Sequence, residues 1–385
     1  MWIEDKGEAN LFRYVPEEEL LTIVVHAYGR VDKTRKCVEH ILQYAGDVPY
    51  QLILTDNGTP TDELLNYYRT VQHPRKKIMR IEKNETSIKG MNPVIRQLDT
   101  KYVLYVMNDS YLMPGALENL LICIESDPCI AIASPVSTNT GHGQEESLGG
   151  FSSEEEMIEK ARVFNKSNPL LWDIHMRVAP QAVLLRRSAF EKAGLFDEDF
   201  VHDYGDDDLC LRFRRAGYKI MVCHDAFVHH DHLLEERERS KEAQEKYLLG
   251  QQLFKEKFGI DPDSDTLSVA RYIRRVARDE AAGEKRVLAI EPCCGTPCLD
   301  LRNYYHRQGI FTVETYAFAQ DSRYDVDLRT VADHVTIDRL SFLEEYYEDR
   351  MFDFVLFCRP LKNGEEDIAR ICQRLVKKDG MLLML

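Results

Sequence analysis

Polar and ionisable side chains gather at five places in the first 232 of the chain's 385 residues. Three of them directly follow apolar runs: Ala27-Tyr28-Gly29-Arg30, Asp56-Asn57-Gly58-Thr59 and Asn108-Asp109-Ser110. Polar groups just past a strand are the first place to look for a ligand, because open α/β sheets bind beyond the carboxyl ends of their strands. One aspartate there is ordinarily a turn former or a helix cap. Three such sites in succession weaken that reading. The fourth place is Asp206-Asp207-Asp208, at the entrance to the helix-like run LCLRFRRAGYK. Stabilisation of the helix dipole, about 0.3–1 kcal/mol, accounts for one or two of these acids. Three adjacent like charges plus Asp203 exceed it, and crowded carboxylates either hold a cation or raise one pKa toward a general base's range. The fifth is His229-His230-Asp231-His232, after the apolar Ala226–Val228. Three imidazoles and a carboxylate in four positions are metal-ligand material, and carboxylate with imidazole suits Mn²⁺ or Mg²⁺ holding a diphosphate.

Short apolar runs alternate with amphipathic stretches, the pattern of an α/β layer structure. Leu20–Ala27, Tyr50–Thr55, Lys77–Ile81 and Tyr102–Met107 read as strands, with helices expected over Asp32–Tyr44, Asp62–Val71 and Asn92–Leu98. Ser137–Ser153 is rich in Gly, Ser and Thr and lacks periodicity, which predicts a mobile loop or lid. Gln181–Leu185 and Lys219–Cys223 read as strands flanking a helix at Asp207–Ala216. A charged, helical connector follows over 233–285, and a second α/β unit begins at Arg286. The expected domains are therefore 1–232, 233–285 and 286–385.

With 50 Lys+Arg against 65 Asp+Glu, the net charge of −15 has the wrong sign for a protein that binds by neutralising a nucleic-acid backbone. No stretch approaches the roughly 20 apolar residues of a membrane span, and MWIEDKGEANLFRY has no leader pattern. The expectation is a cytoplasmic enzyme, with peripheral membrane association left open. The ten cysteines are scattered, several inside apolar runs, and read as reduced thiols. Cys293-Cys294-Cys298 lacks a paired C-x-x-C arrangement, so no zinc site is expected there.

From Leu20 to Ile260 the ordered segments LTIVVHAYGR, LILTDNGTPTDEL, YVLYVMNDSYLMPGAL, VLLRRSAFEKAGLFDEDF, YGDDDLCLRFRRAGYKI and FVHH resemble those of a family-2 inverting glycosyltransferase of the GT-A fold. The resemblance implies roles. Ala27, Tyr28 and Arg30 would lie beside the nucleotide base, and Asp56 and Asn57 would hold it, often through a uracil or thymine N–H. Asn92 would lean on the nucleotide and Asn108 would face the ribose. Asp109 would bind the metal, with His229 as the late ligand and His230 one register away. Asp206 best matches the catalytic base, with Asp207 its rival and Asp208 the second helix acid. Trp172 and Asp173 fall where a sugar or aglycone acceptor could stack, or where Trp172 is simply core.

The chemistry is coherent without the family. A leaving diphosphate wants a divalent cation, and the attacking hydroxyl wants a carboxylate on the opposite face. A retaining double displacement also needs a positioned nucleophile, and none is singled out. The implied donor is a UDP- or dTDP-sugar and the implied acceptor a glycan or surface polysaccharide.

Arg286–Leu385 resembles part of a Rossmann-like class I methyltransferase domain: VLAIEPCCGTPCLDL is similar to the glycine-rich turn that receives S-adenosylmethionine, with Glu291 as its acid. Cys293 and Pro297 replace two glycines of that turn. The competing readings are an S-adenosylmethionine-dependent methyltransferase whose N-terminal domain recognises a glycan, and a non-catalytic scaffold.

Overall fold

A computed structural model of the protein describes residues 20–84, 86–200, 203–232, 241–275 and 283–385. The chain divides into two units, Met1–Asp173 with Arg177–Leu253, and Ile174–Met176 with Phe254–Leu385. The division falls within the segment expected to be a connector. There the helix Lys241–Phe258 is continuous, whereas 233–240 and 276–282 lie outside the described residues.

The first unit is built on β1 (Leu21–Ala27), β2 (Tyr50–Asn57), β3 (Lys76–Ile81), β4 (Tyr102–Met107), β5 (Ser110–Tyr111), β6 (Ile130–Ser137), β7 (Trp172–His175), β8 (Ala182–Arg186) and β9 (Lys219–His230). All seven residues of β1 and all eight of β6 are buried, as expected of Val/Ile-rich strands covered on both faces. The main strand order is β3-β2-β1-β4-β8-β6-β9-β5. β3, β2, β1 and β4 run parallel, and β8 is antiparallel to both β4 and β6. Ala27 pairs with Asp56 and His26 with Met107. The turns after β2, β1 and β4 therefore lie side by side on one edge, where the strand order reverses.

Helix α1 (Val31–Tyr44) follows β1 and buries Thr34, Cys37, Val38, His40 and Ile41, a single face at helical spacing. Helices α2 (Glu63–Thr70) and α3 (Ser87–Ile95) follow β2 and β3. The sequence predicts the third helix from Asn92, but Thr86 starts it earlier by accepting the Lys89 amide as an N-cap. Further helices are α4 (Ala116–Ser126), α5 (Glu154–Phe164), α6 (Arg187–Ala193) and α7 (Gly205–Arg215). β9 runs on to His230, seven residues beyond the expected Cys223, with a register shift against β6 between Pro135 and Val136.

The expected lid is pinned over its first half. Gln144 is fully buried; its amide nitrogen donates to Ser134 Oγ at 2.8 Å and the Pro135 carbonyl at 2.9 Å, and its oxygen accepts the Ala179 amide at 2.7 Å. Backbone bonds from Ser137 to Gln144 and from Glu146 to Ser137 close the loop. A segment without periodicity is thus fixed by one side chain satisfying three distant polar groups.

The second unit is a five-stranded, wholly parallel sheet: β10 (Lys285–Ile290), β11 (Val313–Ala319), β12 (His334–Ile337), β13 (Phe352–Phe357) and β14 (Val376–Met384), in the order β12-β11-β10-β13-β14. This doubly wound order supports the Rossmann-like expectation for the sheet. Leu288, Ile290, Phe318, Phe352, Val355 and Phe357 are buried in its core. Among the described residues no helix is long and apolar enough to cross a membrane.

Gln144→Ala removes three hydrogen bonds, two of them to buried partners, and is expected to cost about 1–3 kcal/mol, read as a fall of several degrees in melting temperature. An unchanged melting temperature would show that Gln144 does not pin the segment.

Candidate active site

The edge formed by the turns after β1, β2 and β4 carries seven of the sequence-predicted residues, from Ala27 to Asp109. Ala27 ends β1 fully buried, and Tyr28 beyond it is 44 % exposed. Gly29 and Arg30 both take left-handed backbone, φ 60° and 49°, turning the chain sharply into α1. The Gly29 amide donates to Thr59 Oγ1 at 2.9 Å, which ties the β1 turn to the β2 turn. Asp56 is wholly buried: Oδ1 accepts the Thr59 amide at 2.9 Å, while Oδ2 has no hydrogen bond and lies 3.6 Å from Arg80 Nε. Asn57 donates to Asn84 Oδ1 at 3.3 Å. Asn108 donates to Thr34 Oγ1 on α1 at 3.0 Å.

Asp109 is buried at the centre of this edge. Its Oδ2 accepts from Arg30 Nη1 at 3.1 Å and lies 3.6 Å from His232 Nδ1; its Oδ1 lies 3.5 Å from His230 Nε2. Burial pushes the Asp109 carboxyl up, but His230, Arg30 and His232 outweigh it and hold the group below the usual carboxylate range. The short β5–β9 ladder brings these groups together, pairing Ser110 with His230, and the Asp231 amide donates to the Asp109 carbonyl at 2.8 Å.

His230 Nδ1 lies 2.9 Å from the Asn139 carbonyl, an oxygen that can only accept, so the ring's proton sits on Nδ1. When the ring is neutral its Nε2 lone pair faces Asp109 Oδ1; when it is charged the Nε2–H faces it and holds the carboxyl down. Both atoms are buried and neither has a hydrogen bond. Two acceptors so placed want a proton or a metal ion between them. The ligand atoms of Asp109, His230 and His232 all lie within 4.8 Å of one another, so the donor set fits a divalent metal.

His229 differs from the expectation. Side chains alternate along a strand, so His229 takes the face opposite His230, while His232, just past the end of β9, stacks its ring on that of His230. On its own face His229 Nδ1 hydrogen-bonds with Thr138 Oγ1 at 3.0 Å, and its ring packs on Tyr111 and Phe151. Asp231 is tied to Tyr111 Oη at 2.8 Å and to Lys33. Period-two spacing in His230-Asp231-His232 was the available signal for His232.

Three further residues of the expected site are engaged elsewhere. Asn92, buried, donates to the Phe196 carbonyl at 2.9 Å and Glu198 Oε1 at 2.8 Å and accepts the Phe196 amide at 3.1 Å, so its polar atoms clamp a loop instead of facing a nucleotide. Trp172 is buried with its indole N–H on Asp225 Oδ2 at 2.9 Å, leaving no open ring face for an acceptor. Asp173 is buried too, 3.4 Å from His224 Nε2.

The three acids of α7 have different partners. Asp207 Oδ1 pairs with Arg177 Nη1 at 2.9 Å, and Asp208, fully buried, is held by Arg212 Nε and Nη2 at 2.8 and 2.6 Å. Neither ion pair involves Asp206. Burial first, then the Asp207 charge, with a smaller push from Asp203 and partial offset by Arg177, raises the Asp206 carboxyl to about 7. Tyr105 on β4 links the two groups of acids: burial, Asp109 and Asp206 all raise its phenol above the usual range. Arg177 and Tyr105 carry no local sequence signal, since each is a lone residue of a common type.

In the second unit the turn after β10 contains Glu291 and Cys293 in left-handed backbone, φ 57° and 49°. Three of its amides are engaged within the unit: Glu291 donates to Phe318, Cys294 to Asp265 and Gly295 to Pro292. A Cβ on Gly295 would lie 2.4 Å from Val331 Cγ2, so this glycine makes room for packing. Glu291 accepts the Gln320 amide at 2.8 Å and lies 3.4 Å from Arg359, which Glu365 also holds.

Residues 22–194 match the model of Glycosyl transferase family 2. The matched span includes Asp109 but ends before α7 and the histidines of β9. No curated protein matches the chain. Among solved structures, GalNAc-T7 with UDP, GalNAc and Mn²⁺ is similar at 14 % identity and a TM-score of 0.47, covering 63 % of this chain and 48 % of its own, so the chain spans about half that protein's length. The mannosyltransferase PcManGT from Pyrobaculum calidifontis, in complex with GDP-Man and Mn²⁺, is similar at 14 % identity and a TM-score of 0.45, covering 85 % of this chain and 76 % of its own.

In Mn²⁺ titrations followed by electron paramagnetic resonance, affinity is expected to fall by about 10–100-fold or more in Asp109→Asn, His230→Ala and His232→Ala, with His229→Ala close to wild type. Equal losses at His229 and His230 would contradict the facing of the strand.

Proposed function

We infer that the N-terminal unit moves a sugar from a nucleotide-diphosphate donor to an acceptor hydroxyl by one inverting displacement. The observation that carries this reading is the buried, unbonded facing of Asp109 Oδ1 and His230 Nε2 at 3.5 Å, on the ligand-binding edge of a unit that carries the Glycosyl transferase family 2 match. Mn²⁺ or Mg²⁺ held by Asp109, His230 and His232 would neutralise charge developing on the departing diphosphate.

The chain's own residues supply the rest. Tyr28 offers an exposed ring face beside the β1 turn on which a base can stack, and Asp56 Oδ2 retains acceptor capacity for a base N–H, the chemistry of a UDP or dTDP donor. Arg30 presents a planar guanidinium suited to phosphate oxygens next to Asp109. Asp206 takes the proton of the acceptor hydroxyl as its oxygen bonds to the anomeric carbon and the bond to the diphosphate breaks. A base raised to about 7 works close to its own pKa at neutral pH. Asp207 and Asp208 are paired with Arg177 and Arg212, so they orient the helix turn, and the Asp207 charge acts on Asp206. The acceptor is a glycan or surface-polysaccharide hydroxyl. Methyl transfer from S-adenosylmethionine, the second reading, draws no support from a turn three of whose amides are engaged within the unit.

Asp206 must be ionised to act, so kcat/KM is expected to rise with pH and level off above about 7. Asp206→Asn should lower kcat by about 10²–10⁴-fold, measured as nucleoside-diphosphate release from a panel of nucleotide sugars with Mn²⁺. Release unaffected by Asp206→Asn refutes the base assignment, and no release from any donor favours a scaffold. Calorimetric titration with S-adenosylmethionine is expected to give no binding; saturable binding would restore the second reading.

A further inference from the structure

The helix Lys241–Phe258 carries a glycine, Gly250, in its interior, where glycine is the poorest helix former after proline. Space explains its presence. A Cβ on Gly250 would lie 2.8 Å from the Asp203 carbonyl oxygen and 2.9 Å from Tyr204 Cδ2. One turn earlier, Tyr247 sets its ring 5.2 Å from that of Tyr204. Tyr204 is buried and held in left-handed backbone, φ 69° and ψ 0°, at the cap of α7. For a residue other than glycine this conformation persists only where the surroundings impose it. Its carbonyl accepts the Asp208 amide at 2.9 Å and so begins the helix. Asp206 lies in that first turn.

We propose that Gly250 and Tyr247 are positioning residues for Asp206, seating the left-handed Tyr204 so that the first turn of α7 aims the carboxylate. What Asp206 does in this proposal rests on the glycosyl-transfer reading; where it is held rests on geometry alone. The charges that act on Asp206 are Asp203 on the seated turn, Asp207 on α7 and Arg177 across from it, and Asp206 in turn acts on Tyr105 of β4. Displacing the turn changes its distance from Arg177 and Tyr105, so the titration of Asp206 reports its position.

Gly250→Ala favours the isolated helix, so an impairment cannot come from lower helix propensity. The full chain, labelled with ¹³C-aspartate, is titrated by NMR, with the Asp206 signal assigned by its loss in Asp206→Asn. Gly250→Ala is expected to move that titration by about 0.5 pH unit or more and to lower kcat about 10- to 100-fold, with the donor KM within about twofold. Tyr247→Ala should act in the same direction, and Tyr247→Phe should keep wild-type behaviour. Wild-type titration and kcat in folded Gly250→Ala and Tyr247→Ala would overturn the proposal. Should Gly250→Ala fail to fold, the Tyr247 pair decides. Should the wild type turn over no nucleotide sugar, the catalytic reading falls while the titrations still decide the positioning.

Discussion

Two acceptors set face to face in a buried site need a proton or a metal ion between them, and in this chain that requirement falls on Asp109 and His230. The Asn139 carbonyl fixes the imidazole proton on Nδ1, and the β5–β9 ladder keeps Nε2 turned toward the carboxylate. Arg30 meets part of the charge demand at Oδ2 and leaves Oδ1 unbonded. The fold around this pair serves to keep it in place. Parallel strands bring three turns to one edge, and a two-residue strand connects that edge to the far end of β9.

The acids of α7 show how one local sequence yields three environments. An arginine from outside the helix takes Asp207, and an arginine one turn along takes Asp208. Asp206 is left among protein atoms beside a like charge, and its proton affinity rises. The same partition that makes two of the acids structural gives the third a base's pKa.

Much of the strand framework was legible because central parallel strands are covered on both faces, and LTIVVHA and YVLYVM are apolar over most of their length. The start of α7 was legible from its acidic first turn. What escaped local reading depended on distant partners. Asn92 is claimed by Phe196 and Trp172 by Asp225, 104 and 53 residues away, and no spacing within either motif reveals such a partner. The choice between His229 and His230 turned on whether the strand runs on through them: once it does, alternation sets His230 and His229 on opposite faces, and His232 joins His230 from beyond the strand's end. In the second unit the apolar strands indicated the sheet, whereas the internal use of the Cys294 amide by Asp265 could not be read from VLAIEPCCGTP.

Anomalous diffraction at the manganese edge, from crystals of the full chain grown with Mn²⁺ and a nucleoside diphosphate, tests the central claim most directly. The account predicts one strong peak bonded to Asp109, His230 and His232, with the diphosphate on its open side. A peak ligated by His229, or a diphosphate bound away from Asp109, would contradict it.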